Sequence, residues 1–427
     1  MAFKISQLKE EFLKGEHDGL LKKLYVSEER MSGQAKRYVD ALTCFEKIYG
    51  EKEVEIYSAP GRTEVGGNHT DHQNGKVLAG SINLDALAIV SKRSDLQVRI
   101  KSEGYPEIKV DLSDLEPAKK EYGTTHALIR GVANGMKSRG YEIGGFEAYV
   151  TSEVLTGSGL SSSAAYEVLI GNILSGLYND CKLNPVLIAQ IGQESENIYF
   201  GKPCGLMDQM ACSVGGLINI DFEDKKNPKV KKVDVDFNRF GYSLCIVDTR
   251  GSHADLTDDY AAIPAEMKKV AAYFGKELLH QVKKDEFFAK LPEIRKAAGD
   301  RAVLRAMHWF MENDRVIKQV AALEMGDIEE FKKLIKESGD SSYKYLQNVF
   351  AVKKPQEQGV SIALAISDMA LEGKGVSRVH GGGFAGTIQA FVQNEHVYTY
   401  KERMEAVLGE DTCYVLNIRP VGGTKVL

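Results

Sequence analysis

Apolar residues in the first stretch of the chain recur at helical spacing: Ile5, Leu8 and Phe12, then Leu20, Leu21 and Leu24, with charges between them. This predicts an amphipathic helical segment over residues 1–50. The period then changes to two. Val54-Glu-Ile-Tyr-Ser58 alternates like a half-buried strand and runs into Ala59-Pro60-Gly61, which predicts a break. Val77-Leu-Ala79 and Ala88-Ile-Val-Ser91 are short apolar runs, while Val98-Arg-Ile-Lys101 and Ile108-Lys-Val-Asp111 alternate. These predict strands of a mixed sheet. Helical patterns follow at 124–139, 162–178 and 186–199.

The stretch Glu223–Lys232 (EDKKNPKVKK) is polar and predicts a linker or a long hairpin turn. Beyond it Tyr242–Asp248 reads as a buried strand, helical patterns dominate 260–371, and strand patterns return at 387–393 and 412–418. Runs of strands followed by runs of helices predict an α+β fold with mixed and antiparallel sheets rather than a regular βαβ array. The expected organisation is a helical extension over 1–50, an N-terminal domain over 51–225 and a C-terminal domain over 226–427.

Composition narrows the function. The 427 residues suffice for two domains with substantial cores, and 43% hydrophobic with 27% charged residues is ordinary for a globular protein. A net charge of −5 argues against nucleic acid or an anionic membrane as partner. The Lys225-Lys226 and Lys231-Lys232 pairs read as a solvated loop face. Six cysteines without a CxxC pair predict neither a disulfide framework nor a zinc site. The first residues are too polar for a signal peptide and no apolar run reaches membrane-spanning length, so the expected location is cytoplasmic. Nothing signals an oligomeric state; a monomer is compatible with the sequence.

The chemistry is concentrated in three segments. Leu155–Ala165 reads LTGSGLSSSAA and leads into a helical pattern carrying Ala164, Ala165, Val168, Leu169, Ile173 and Leu177 on one face. Gly157 and Gly159 have no side chain to keep a ligand from the backbone, and Ser161, Ser162 and Ser163 are good capping residues for the first turn. Amides and the positive helix end then favour a phosphate, as of a nucleotide, although a plain turn has the same composition. There is no G-x-x-x-x-G-K-[ST]. Gly381–Gly386 (GGGFAG) formally fits G-x-G-x-x-G, but the alternating Thr387–Val392 that follows predicts a glycine turn between strands, not a dinucleotide site.

Ala59–Gly75 (APGRTEVGGNHTDHQNG) places Arg62, Asn68, His69, Asp71 and His72 in a glycine-rich turn. Asp71 can accept hydrogen bonds from neighbouring hydroxyls, with Asn68 and His69 adding more, which suits a sugar. His69-x-x-His72 could instead mark a metal, but no third ligand is evident. Pro203–Gly216 (PCGLMDQMACSVGG) sets Asp208 among Leu206, Met207 and Met210, so it is either a structural carboxylate or a partly desolvated general base. Glu196 lies in a helical pattern (IAQIGQESENIYF), where a solvated face is its default place unless Mg²⁺ is bound.

In this order the segments resemble the signatures of the GHMP small-molecule kinases and, within them, the galactokinase family. Gly61-Arg62 through His69-Thr70-Asp71 resembles the first motif. Leu155–Ala164 resembles the P-x-x-x-G-L-S-S-S-A loop with Leu155 in place of proline. Gly205–Gln209 resembles G-[IL]-M-D-Q, and Gly381–Gly386 resembles GGGFGG with Ala385 for a glycine. The resemblance implies a two-domain fold with the active site in the cleft, and an ATP- and Mg²⁺-dependent sugar-1-kinase.

By that resemblance Gly157, Ser158, Gly159, Leu160, Ser161, Ser162 and Ser163 cradle the ATP phosphates, and Ser163 with Glu196 holds Mg²⁺. Asp208 takes the proton of the anomeric hydroxyl beside Arg62. Asn68, His69, Thr70, Asp71 and, by a looser match, Tyr260 contact the sugar. The chain departs from the usual G-R-x-N-x-I-G-E-H-x-D-Y at Glu64, Gly66, Asn68 and His72. Asn68 stands where a Glu is expected to bond the C6 hydroxyl of galactose; plant galacturonokinases are similar here in lacking that Glu and in reading D-H-Q, as at Asp71-His72-Gln73. Galactose is the expected substrate. Galacturonate, or a catalytically silent sugar and ATP sensor on the same fold, is the alternative; the H-T-D turn and M-D-Q motif disfavour an isoprenoid or amino-acid substrate.

Overall fold

The computed structural model describes residues 2–154, 159–252 and 255–427. A nine-stranded sheet and a four-stranded sheet carry the helices, an α+β arrangement. The larger sheet is built around two long antiparallel strands, Glu53–Gly66 and Lys76–Lys92, joined by the turn that carries Asn68 to Asp71. Phe146–Ser152 pairs with residues 86–92 and Leu217–Asp221 with residues 76–80 of the second strand. Gln97–Ser102 runs parallel to Phe146–Ser152 and pairs antiparallel with Glu107–Asp111.

The long strands alternate between two cores. Val54, Ile56, Leu87 and Ile89 face the helices Ile5–Leu13, Asp18–Tyr25 and Glu28–Tyr49, so the N-terminal segment covers one face of the sheet. Tyr57, Ala59, Ala88 and Val90 face the opposite core, which includes Val168, Leu169 and Ile173 of the helix Ser162–Asn179. A polar bolt accompanies the first layer. Asp85, fully buried, accepts from Arg37 of the third helix at 2.6 Å, from Tyr25 at 2.9 Å and from Arg419 at 3.2 Å.

Four elements differ from the sequence expectation. The strand from Glu53 does not stop at Pro60-Gly61 but continues to Gly66, with a register shift between Pro60 and Arg62. Beyond Pro60 the Arg62 amide donates to Leu160 O at 3.1 Å, and a Cβ on Gly61 would lie 2.9 Å from that carbonyl. The break is absorbed because the glycine lets another chain segment take the place of a paired strand. The two apolar runs at 77–79 and 88–91 belong to one strand, whose buried Ser81, Asn83 and Asp85 interrupt the apolar signal. Lys231 and Lys232 lie in a strand, Lys229–Val233, rather than on a loop face; the strand is hairpinned to Leu217–Asp221, so of the two alternatives for the polar stretch the hairpin turn holds. Gly375–His380 is a strand that the sequence reading passed over.

The smaller sheet is wholly antiparallel, in the order Gly375–His380, Thr387–Gln393, Tyr242–Asp248, Cys413–Leu416. Gly381–Gly386 is the turn between its first two strands, as expected, with Gly381, Gly383 and Gly386 at positive φ. Among the described residues no helix is long and apolar enough to cross a membrane.

Candidate active site

The residues leading into the helix Ser162–Asn179 touch both sheets: Leu160 O accepts from the Arg62 amide and Gly159 stands against Thr387. Ser161 adopts a left-handed conformation ahead of it, and no serine side chain caps the helix. The hydroxyls turn outward instead. Ser161 Oγ donates to Asp208 Oδ2 at 2.6 Å and Ser163 Oγ donates to Glu196 Oε1 at 3.1 Å. Capping is given up so that the first-turn amides and hydroxyls face one place. Gly159, at φ +70°, sits against Thr387, where a Cβ would approach the hydroxyl to 2.8 Å. Leu160 is buried and Ser162 opens the helix. The calls on Gly157 and Ser158 lie outside the described residues.

Asp208 sits in the first turn of the short helix Met207–Val214. Arg62 grips it bidentately, Nε to Oδ1 at 2.7 Å and Nη2 to Oδ2 at 3.0 Å, while its Nη1 donates to Gly159 O. Burial opposes ionisation of Asp208, but the Arg62 charge and the bonds from Arg62 and Ser161 outweigh it and hold the carboxyl below the usual Asp value. One guanidinium therefore ties the candidate base to the loop.

Glu196 is not on a solvated helix face. It lies on a π-helical turn, Ser195–Phe200, and is 2% exposed. Such a turn inserts an extra residue and re-aims the side chains that follow, which is why helical periodicity misplaced it. Gln209 Nε2 donates to its other oxygen at 2.9 Å and to Glu167 Oε2 at 3.0 Å. The Ser163 hydroxyl and Glu196 carboxylate are hard oxygen donors, and Mg²⁺ takes one or two such protein ligands with waters and phosphate oxygens, so the pair fits that ion. Among the described residues no group of three or more His, Cys, Asp or Glu side chains is arranged to hold a metal, the His69/His72 pair included.

The turn after Gly66 is welded to the smaller sheet and its helices. Asn68 is fully buried; its amide donates to Glu64 Oε1 at 3.0 Å and to Gly381 O at 2.6 Å, and its Oδ1 accepts from Asn348 at 2.8 Å and Ser342 at 3.2 Å. Thr70 bonds Gly67 O and Lys76 O within the turn. Both side chains thus bind protein rather than face the cleft. His69 Nε2 donates to Gly382 O at 2.9 Å, and its ring stacks on His72. Burial, with the adjacent His72 charge, pushes His69 down to about 4, so it is neutral near pH 7.

Asp71 and Tyr260 each stand against a glycine. The Asp71 carboxylate stands directly against Gly205, three residues before Asp208: a Cβ there would sit 1.6 Å from Oδ2. The Tyr260 hydroxyl donates to Gly383 O at 2.8 Å and its ring packs on Gly382. The structure so brings together two sets of contacts, Arg62–Asp208–Ser161 and Ser163–Glu196, which Gln209, next to Asp208 in the chain, connects through its bond to Glu196; Asp71 stands against Gly205.

Residues the sequence reading assigned no role complete the frame. Arg378 and Glu64 form a buried ion pair at 2.6 Å between the two sheets, and His380 bonds Thr63 at 3.2 Å and the Glu64 amide at 3.1 Å. Only Gln209 carried a signal, as the last residue of the M-D-Q motif.

Two family models match this chain: the GHMP kinases N terminal domain over residues 127–216 and the galactokinase galactose-binding signature over residues 43–92. The galactokinase of Actinobacillus pleuropneumoniae serotype 3 is 31% identical over 356 residues, 83% of this chain and 89% of that protein. The galactokinase of Streptomyces coelicolor is 30% identical over 393 residues, 90% and 97% of the two chains. The crystal structure of Lactococcus lactis galactokinase complexed with galactose superposes with a TM-score of 0.77 at 27% identity, covering 90% of this chain and 98% of that one. A mevalonate kinase, at 18% identity and a TM-score of 0.57, shares the fold. On sequence, motif order and architecture together, the chain belongs to the galactokinase family of GHMP kinases.

Proposed function

We propose that this protein transfers the terminal phosphoryl group of ATP to the anomeric hydroxyl of galactose, giving galactose 1-phosphate and ADP. The observation that carries this reading is the Arg62–Asp208–Ser161 cluster at the helix N-terminus, 2.6–3.0 Å across each contact. It sets an ionised carboxylate beside the backbone amides that suit phosphate.

Asp208 accepts the hydroxyl proton. Its lowered basicity suits phosphoryl transfer through a loose transition state, where the nucleophile loses its proton late and the carboxylate first has to orient it. Arg62 keeps Asp208 charged and sets positive charge beside the departing phosphoryl oxygens. The Ser162–Asn179 helix end, with Gly159 to Ser163, binds the phosphates. Ser163 and Glu196 would hold Mg²⁺, which when bound offsets charge on the β- and γ-oxygens. Asp71 accepts from sugar hydroxyls, with His69 as a neutral neighbour and Tyr260 lining the same side. The assignments of Asn68 and Thr70 become positioning roles, since both side chains bond within the protein.

Galacturonate is the second reading. It is favoured by the neutral Asn68 at a position where the family carries a carboxylate. Phosphorus NMR of the product tests the reaction: a phosphate on the anomeric carbon supports it, and ATP turnover without a sugar phosphate refutes it.

A further inference from the structure

We propose that Lys202 is a phosphate-binding residue of the nucleotide site, a second cation beside the metal. This rests on the kinase reading. Lys202 Nζ donates to Glu196 Oε1 at 3.2 Å, the same oxygen that accepts from Ser163 at 3.1 Å. The ammonium thus lies at the Ser163–Glu196 pair that fits Mg²⁺, at the N-terminal end of the phosphate-loop helix.

Charge balance gives this placement a task. A divalent metal neutralises only part of a triphosphate, and Glu196 and Asp208 add negative charge beside it. Arg62 is already committed to Asp208 and Gly159. An ammonium has three donors, so Lys202 can keep or leave Glu196 and still reach a phosphate oxygen.

The loop is built for that. Its backbone is fixed on both sides of Lys202: the Lys202 amide donates to Glu196 O at 3.1 Å, and the Cys204 amide donates to Asn197 Oδ1 at 2.7 Å. Gln193 Nε2 adds a bond to Cys204 O at 3.1 Å. The side chain itself is 64% exposed. A pinned backbone with an exposed charged head places a cation without enclosing its partner. An ordinary exposed ion pair would contribute little and could be removed without effect on ligands.

The test is calorimetric binding of Mg-ATP and of adenosine to the full chain and to Lys202→Met and Lys202→Arg, with Mn²⁺ binding in the absence of nucleotide followed by electron paramagnetic resonance. Lys202→Met should weaken Mg-ATP about tenfold, as expected for loss of one charge-assisted phosphate contact. It should leave adenosine unchanged and leave Mn²⁺ equal or tighter, because the ammonium no longer shares the Glu196 oxygen. Lys202→Arg should restore most of the Mg-ATP affinity. Unchanged Mg-ATP affinity in Lys202→Met overturns the assignment, as does an equal loss of adenosine or weaker Mn²⁺, either of which would make Lys202 a support of the loop. A wild-type protein that binds no Mg-ATP would sink the kinase reading itself, a result distinct from the others.

Discussion

Arg62 and Asp208 meet through two parallel hydrogen bonds, Nε–Oδ1 at 2.7 Å and Nη2–Oδ2 at 3.0 Å, which join the strand Glu53–Gly66 of the larger sheet to the first turn of the helix Met207–Val214. A planar fork of this kind fixes the carboxylate's orientation as well as its charge. Asp208→Asn should therefore lower kcat by about 10²–10⁴-fold, the usual contribution of a positioned acid–base group. The KM for ATP should stay near wild type. Arg62→Lys keeps the charge but loses the fork and should also act on kcat. Steady-state kinetics with both substrates varied checks this; a change confined to the KM for ATP would place the pair in nucleotide binding.

Gly205 allows Asp71 to reach the edge of the site, since a Cβ would come 1.6 Å from its carboxylate. Gly205→Ala must push Asp71 aside. Because a displacement of about 1 Å can cost on the order of a hundredfold, kcat/KM for the sugar should fall by about that factor while ATP binding persists. Equal kinetics for the two proteins would remove Asp71 from the sugar site.

Gln209 bridges Glu196 and Glu167. Burial and the Glu196 charge push the Glu167 carboxyl well above the usual Glu value, and its Oε2 accepts from Gln209, a bond that an amide oxygen can also accept. Glu167→Gln should leave activity near wild type. Gln209→Leu frees the Glu196 carboxylate and should raise the Mg²⁺ requirement by about 10–100-fold, the usual cost of losing a group that orients a metal ligand. Titration of activity against Mg²⁺ distinguishes the two variants.

Three histidines in and around the sugar turn, His308 and His380 buried and His69 partly so, predict acid sensitivity. Burial depresses His308 and His380 below the ordinary value, and His69 is pushed from 6.5 to about 4. The unfolded chain binds protons at these sites that the folded chain refuses, so stability is full above pH 6.5 and declines as pH falls toward 4. For His69 alone the loss is up to roughly 3 kcal/mol. Urea unfolding at stepped pH should show this slope, shallower in His69→Asn. A stability that does not change between pH 6.5 and 4.5 would contradict it.

Asp85 holds Arg37, Tyr25 and Arg419 at the interface between the N-terminal helices and the sheet. Asp85→Asn leaves the fully buried Arg419 without its counter-ion and Arg37 with Glu153 alone, and should cost about 3–5 kcal/mol in urea unfolding. The kcat per folded molecule should not change, because the Asp85 carboxylate bonds Tyr25, Arg37, Ser58 and Arg419 and none of the candidate site residues.

Much of this was legible from residues alone. A short apolar run located Tyr242–Asp248, and the alternation after Gly386 located Thr387–Gln393 and correctly made GGGFAG a turn between strands. What escaped was tertiary. Ser81, Asn83 and Asp85 read as an interruption because polar residues are usually exposed, whereas here they bond partners remote in sequence. Glu196 read as solvated because a π-turn leaves no periodic trace. Ser161 and Ser163 carry the composition of caps, and only folding shows that Asp208 and Glu196 take their hydroxyls. Asn68 looked like a sugar contact because its four partners come from Glu64, Gly381, Ser342 and Asn348, distant along the chain apart from the first.

The central claim is best tested by coupled ADP release with Mg-ATP, with galactose and galacturonate supplied in parallel. A clear preference for galactose is predicted, and it would mean that a turn with Asn68 turned inward still serves the C6 hydroxyl. Preference for galacturonate would contradict the substrate assignment, and no sugar-dependent release with either would contradict the kinase assignment as a whole.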